Sequence, residues 1–304
     1  MHRMVAAVGH VGVEAQHRWI IDPARGIVVA RPAALMGILN ATPDSFSDGG
    51  RHLGVDAAVA AGCAMVCDGA AWLDIGGESS RPGAEPVTAA EESLRVLPVI
   101  RALRAAGLTV PISIDTTKAS VADAALAMGA NVVNDITAGS DLQMFAVVAA
   151  HRCPLVMMHL QGTPRTMQLA PTYGDVVADV IAYLAERMRA AIAAGVAESA
   201  LLLDPGIGFG KSRDHNLALL RALPRMNREL GRPLVLGISR KSFLAAVIGT
   251  DLPAHERDAA SHVVHALIAG DCALLRVHDV VGAQAALKLR NALSKDDLGG
   301  HHAS

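Results

Sequence analysis

Eight short apolar runs in this chain end in a polar residue: Asn40, Asp74, Asp115, Asn134, His159, Asp204, Ser239 and His278. Arg276 lies two places before the last of these and Lys241 two places after the seventh. Asp115 follows ISI and Asp204 follows LLL, so each carboxylate stands on a partly desolvated floor and needs donors. The edge of a 2-amino-4-oxopyrimidine supplies adjacent N–H groups that satisfy a carboxylate with two hydrogen bonds. Asn134 donates and accepts against the same kind of ring, and Lys241 donates to ring acceptors. Taken singly, an Asp or Asn at such a run end is often only the N-cap of the helix that follows it. Their number at equivalent positions argues for a site.

Two long loops add phosphate chemistry. NATPDSFSDGG (40–50) and GESSRPGAEPV (77–87) are polar and bounded by Gly and Pro, which suits lids over a site. Asn40, Asp44, Ser45, Ser80 and Arg81 within them suit a diphosphate with Mg2+, since a hard cation takes oxygen donors and Arg meets phosphate oxygens two at a time. Without other signals such loops read as solvated turns. DPGIGFGKS (204–212) is not a phosphate loop, because Pro205 stands where the first glycine of that motif belongs. Its glycines and Phe209 allow a close approach to a planar ligand. His262 and His265 lack a third ligand and read as packing or surface histidines. Lys118, Lys211 and the Arg-rich stretch 221–232 read as solvated surface.

The elements that must position these residues repeat as a unit: an apolar run, a Gly- or Ser-rich loop, then an Ala-rich helical stretch. Candidate strands are 34–40, 72–76, 111–115, 131–135, 154–159, 200–204, 233–239 and 273–278. Candidate helices include 55–69, 88–106 (opened by Thr88 with Glu91 three places on), 118–128, 174–194, 213–222, 255–270 and 279–293. Right-handed alternation of eight such units predicts an α/β fold closed as a single (β/α)8 TIM barrel over 35–294. A doubly wound open sheet would need a glycine-rich turn after its first strand, and LMGILNATP has none. Residues 1–34 precede the first unit as an extension or short hairpin around RGIVVARP, with no readable role. The polar tail 295–304 is expected to fray, His301 and His302 with it.

Composition agrees. The chain is 52% hydrophobic but only 3% aromatic, so its core must be built from small aliphatic residues, as in helices packed on buried parallel strands. A formal charge of −2 provides no broad positive field, so neither nucleic acid nor an anionic membrane is an expected partner. Charged residues interrupt every run short of a membrane span, and the N-terminal segment has no clean cleavage signal, so a cytoplasmic protein is expected. Cys63, Cys67, Cys153 and Cys272 are expected to be reduced and mostly buried.

In order along the chain, MGILNATPDSFSDGG, LDIGGESSRPG, ISIDT, VVNDI, MMHLQGTP, LLLDPGIGFGK, LGISRKSF and LRVHDV resemble the dihydropteroate synthase family from residue 35 to about 290. That resemblance implies a TIM-barrel transferase of folate biosynthesis, dimeric, cytoplasmic and a sulfonamide target. Such an enzyme condenses 6-hydroxymethyl-7,8-dihydropterin diphosphate with 4-aminobenzoate by a dissociative substitution. It further implies a pterin pocket of Asp115, Asn134, Met158, Asp204, Lys241 and Arg276, with Asp115, Lys241 and Arg276 catalytic. Asn40, Arg81, Arg276 and His278 would hold the diphosphate, with Asn40 on Mg2+. Ser80, Pro82, Phe209, Ser239 and Lys241 would bind aminobenzoate, with Ser80 standing where the family commonly has Thr. A pterin-binding barrel that transfers a methyl group from methyltetrahydrofolate is the rival enzyme, but it has no need of the SRPG and SRKSF segments. A homologue that only binds should have lost lid residues, and both loops look complete.

Overall fold

The computed structural model describes residues 18–41, 50–80 and 83–294. A hairpin of β1 (Arg18–Asp22) and β2 (Ile27–Ala30) leads into alternating strands and helices: β3 (Ala34–Asn40), α1 (Gly50–Cys67), β4 (Trp72–Gly76), α2 (Ala89–Ala105), β5 (Ile112–Asp115), α3 (Ala119–Ala127), β6 (Val132–Asp135), α4 (Met144–His151), β7 (Leu155–Met158) and α5 (Val176–Ala193). The chain continues through β8 (Leu201–Asp204), α6 (Arg213–Arg221), α7 (Leu223–Leu230), β9 (Val235–Leu236), α8 (Ser242–Ile248), α9 (Asp258–Ile268), β10 (Leu274–Val277) and α10 (Val280–Ser294). Strands β3 to β10 form one parallel sheet in the order β8-β7-β6-β5-β4-β3-β10-β9, and a parallel bridge between Leu203 and Leu234 joins its two edges. The sheet therefore closes into the expected barrel.

The pleat sorts side chains by parity. Leu35, Leu73, Ile114, Val133, Leu155, Leu203 and Leu275 belong to the large core shared with the helices. Their neighbours Met36, Trp72, Val132, Val156, Leu202, Val235 and Leu274 form a separate cluster inside the barrel, near the strand N-termini. Ile21, Ile27 and Val29 of the hairpin join that inner cluster, each no more than 6% exposed. The hairpin is thus the floor of the barrel, a role the sequence left open, and at about 1.5–3 kcal/mol per fully buried aliphatic side chain it adds several kcal/mol.

Local signals place most elements. The Thr88 hydroxyl caps α2 by accepting from Glu91 N–H at 3.2 Å, while the Glu91 carboxylate turns instead to Arg95. Three helices escaped the sequence pattern. Helices α4 and α8, at 8 and 7 residues, are too short to show a period. Helix α7 lies in the Arg-rich stretch read as surface, yet Leu223, Met226 and Leu230 fall on one buried face. The seventh barrel strand was expected over 233–239 but keeps only Val235 and Leu236 in the ladder, because the chain turns at Ile238–Lys241. Only Cys153 and Cys272 are buried; Cys63 is half-buried and Cys67 exposed, a correction to the expectation that most are covered. Among the described residues no helix is long and apolar enough to cross a membrane. Residues 1–17 and the tail 295–304, with His301 and His302, lie outside the described residues.

Candidate active site

One pleat above the apolar floor, inward parity belongs to Ile38, Asp74, Asp115, Asn134, Met158, Asp204, Gly237 and Arg276. The polar residues read as strand ends are therefore better described as a layer. Asp74 is the third of five residues in β4, and Asn134 precedes Asp135, the last residue of β6. Asp135 has the outward parity and serves its own loop, accepting from Thr137 N–H at 2.8 Å, the Thr137 hydroxyl at 2.6 Å and Gly139 N–H at 2.7 Å.

Arg276 is the hub of the layer. Its Nη2 donates to Asp115 Oδ2 at 2.7 Å and to Asp74 Oδ2, while its Nε is buried without a hydrogen-bond partner. Asn134 Nδ2 donates to Asp74 Oδ2 at 3.2 Å. Burial works against the Arg276 cation, but Asp74 and Asp115 outweigh it and hold its pKa above the usual arginine value. Burial pushes the Asp115 carboxyl up to about 7, against the pull of Arg276 and with help from Asp74. The sequence reading gave Asp74 no role; the structure makes it the second anchor of Arg276 and the partner of Asn134. Counting it among the polar run ends left open its parity with Trp72, Asp115 and Asn134, the property that puts it in the layer.

A second group of charges lies across the barrel. Asp204 is 3% exposed; its Oδ1 accepts from Gly206 N–H at 2.7 Å, and burial raises its pKa. Lys211, read as solvated, is also only 3% exposed. Its ammonium donates to His159 Nδ1 and to the Phe209 carbonyl, both at 2.9 Å. Burial lowers Lys211 to about 7 against the pull of Asp204, and lowers His159 to about 3, so the imidazole stays neutral and accepts. The glycines of 206–210 are required for this packing: Gly206 has φ +69°, and a Cβ there would lie 1.9 Å from the His159 carbonyl oxygen. Lys241 Nζ sits 3.8 Å from the centroid of the Phe209 ring, and burial, then Arg276, lowers its pKa to about 8 while Asp204 and Asp115 oppose. Phe209 packs with Met158, Ile136 and Met167 as an apolar wall. Ile136 and Met167 escaped sequence reading because apolar residues in loops show no period.

At the rim, the Ser239 hydroxyl meets His278 Nδ1 at 3.0 Å and accepts from His278 N–H at 3.2 Å. Asn40 ends β3, and pairing places both it and Asp115 beside Gly76 of β4. Ser80 is half-buried and is the last described residue before positions 81 and 82 of the second loop. Arg81, Pro82, Asp44 and Ser45 lie outside the described residues. The root of the second loop is fixed by Lys118, read as solvated: its Nζ bonds Glu78 Oε2 and the fully buried Glu92 Oε2, both at 2.5 Å. His265 is buried and His262 pairs with Asp279 at 3.3 Å; among the described residues no three His, Cys, Asp or Glu converge as a metal cluster.

The layer therefore offers acceptors at Asp115 and Asp204, an amide at Asn134, donors at Lys241 and Arg276, and an apolar wall. That set recognises a flat heterocycle with a hydrogen-bonding edge and an attached anion. Residues 36–278 match the family described as pterin-binding enzymes. The dihydropteroate synthase of Synechocystis is 43% identical over 260 residues, covering 85% of this chain and 89% of that protein. The solved dihydropteroate synthase of Xanthomonas albilineans with 4-aminobenzoic acid superposes with a TM-score of 0.82 at 45% identity, covering 91% of this chain and 97% of that one. The same enzyme in complex with 7,8-dihydropteroate gives 0.79 at 43% identity, with 91% and 98% covered.

Proposed function

The chain belongs to the dihydropteroate synthase family of pterin-binding enzymes, and on that premise we propose that it condenses 6-hydroxymethyl-7,8-dihydropterin diphosphate with 4-aminobenzoate, giving 7,8-dihydropteroate and pyrophosphate for folate biosynthesis. The observation that carries this reading is the layer itself: Asp115, Asn134 and Asp204 share the inward parity at one end of the barrel, with the Arg276 guanidinium held between Asp74 and Asp115 and the apolar wall of Met158 and Phe209 beside them.

The pterin edge donates to Asp115 and Asp204, bonds Asn134, accepts from Lys241 and lies against Met158. Its entry displaces the Arg276 guanidinium from Asp115, and the cation stacks on the ring face and reaches the diphosphate. Asn40, Arg81 and His278 complete the diphosphate site. Magnesium would fit this donor set as an ion carried by the substrate, held by the Asn40 amide oxygen together with phosphate oxygens of the diphosphate. When bound, it neutralises charge on the departing pyrophosphate. Ser80, Pro82, Phe209 and the Ser239–Lys241 turn hold aminobenzoate.

An arylamine is neutral and nucleophilic near pH 7, so the site needs no strong general base. Leaving-group departure is the harder step. Arg81, Arg276 and His278 stabilise the pyrophosphate, while Asp115 and the electron-rich pterin stabilise the cation left at the exocyclic methylene, so bond breaking runs ahead of attack. The protein works as a cytoplasmic homodimer, and sulfonamides compete at the aminobenzoate subsite.

The test is direct. Purified protein with Mg2+, pterin diphosphate and 4-aminobenzoate is expected to form dihydropteroate and pyrophosphate in equal amounts; no product at saturating substrate refutes the reading. Methyl transfer from methyltetrahydrofolate in place of condensation would establish the rival barrel chemistry.

A further inference from the structure

Between two residues of the site, Ser239 and Lys241, the backbone does something an arginine rarely does. Lys241 N–H closes a turn onto the Ile238 carbonyl at 3.3 Å, and Arg240, at the third position of that turn, has φ +62°. Turn chemistry reserves a positive φ there for glycine or asparagine. A non-glycine residue persists in the left-handed region only where its surroundings over-determine it, and such residues collect at functional sites.

The surroundings come from the start of α9, outside every motif read from the sequence. Arg240 Nε and Nη2 form a two-pronged ion pair with Asp258, at 2.8 and 2.7 Å. Arg240 N–H donates to the Ser261 hydroxyl at 3.0 Å, and the Arg240 carbonyl accepts from Arg257 Nη1 at 3.0 Å. Ser261 is fully buried and its hydroxyl donates to the Arg257 carbonyl at 2.8 Å, which leaves its oxygen to accept from Arg240 N–H. Side chain, N–H and carbonyl of one strained residue are thus all held by one helical turn. The turn so held presents Lys241 to Phe209 and Ser239 to His278.

We infer that Arg240, clamped by Asp258 and Ser261, is a positioning residue that holds the Ser239–Lys241 turn in its working shape. This rests on the functional reading above. Without the clamp the turn relaxes to ordinary φ, Lys241 swings off Phe209, and both substrates lose a contact although the fold survives. The clamp acts through Lys241 and Ser239 and touches no substrate itself.

Asp258→Asn and Ser261→Ala, assayed well below their melting temperatures, are expected to lose at least tenfold in kcat/KM for 4-aminobenzoate with an unchanged circular dichroism spectrum. A stability role alone would lower the melting temperature and leave kcat/KM of the folded enzyme at the wild-type value, which overturns the inference. Arg240→Gly, which accepts φ +62° freely, should retain several-fold more activity than Arg240→Ala; equal activities overturn it as well, and this pair decides the matter if Asp258→Asn does not fold. A crystal structure of Ser261→Ala supplies a readout independent of turnover: the Lys241 ammonium should leave the Phe209 ring, and an unmoved turn refutes the clamp. If the wild-type protein itself makes no dihydropteroate, the functional reading fails, and this crystallographic arm still judges the clamp.

Discussion

Asp115→Asn separates the two things the carboxylate is proposed to do. In the ligand-free site Asp115 accepts a charge-assisted hydrogen bond from Arg276 Nη2 at 2.7 Å, in a pocket where the Arg276 side chain is 10% exposed and that of Asp115 19%. Removing its charge frees Arg276 from one of two anchors, since Asp74 still holds it, so the slot opens more easily for the pterin. Substrate binding therefore loses a carboxylate contact but gains from a less tightly held guanidinium, and KM should change little. The transition state has no such compensation, because the positive charge spread from the methylene over the pterin loses its counter-charge at Asp115. A hydrogen bond to a charged group is worth about 1.5–3 kcal/mol, so kcat should fall roughly 10- to 150-fold at about 1.4 kcal/mol per decade. The assay follows pyrophosphate release with and without 4-aminobenzoate. If bond breaking precedes attack, the variant slows both releases by the same factor. Wild-type kcat, or a loss confined to KM, refutes the cation-stabilising role, and a loss seen only with aminobenzoate present refutes the dissociative order.

Three further outcomes follow from the same geometry. Asp115 must be ionised and Lys241 protonated, and burial moves their pKa values to about 7 and about 8, so kcat/KM should fall below pH 7 as the carboxyl gains a proton and above pH 8 as the ammonium loses one; a profile flat from pH 6 to 9 contradicts both assignments. Ile21→Ala, in the hairpin that seals the barrel floor, should cost about 2–5 kcal/mol of stability in a denaturant melt while leaving KM unchanged, and a wild-type midpoint would show that the hairpin is not part of the core. Lys118→Met leaves Glu78 and the fully buried Glu92 without their shared cation, so it should destabilise by about 3–5 kcal/mol and loosen the loop that carries Ser80 and Arg81; adding Glu92→Leu should restore much of the stability, and strictly additive losses in a double-mutant cycle would refute the pairing.

How far the sequence could be read depended on whether a residue's role was local. The barrel was legible because each βα unit carries its own signal: an apolar run of strand length, a loop and an Ala-rich helix. Asp115, Asn134, Asp204, Lys241 and Arg276 were legible for the same reason, each lying at or near the end of such a run, and the structure puts four of them in one layer with Lys241 on the turn that follows β9. What stayed hidden is pairing across distance. Lys118 and Lys211 look like ordinary loop lysines until folding sets one against Glu78 and Glu92, 40 and 26 residues away, and the other against His159, 52 residues away. A lysine is solvated by default, and only the convergence of acceptors from other strands makes its burial tolerable. Asp74 was legible as a polar run end but not as the partner of Arg276, because that pairing spans 202 residues and depends on which side chains share a face of the pleat. Arg240 marks the limit of motif reading. Within SRKS it reads as one more cation beside a candidate site lysine, whereas its left-handed backbone and the helical turn that grips it exist only once α9 has packed against the turn after β9. Motifs expose the residues that meet the substrate; the residues that hold those groups in place emerge only from tertiary contacts.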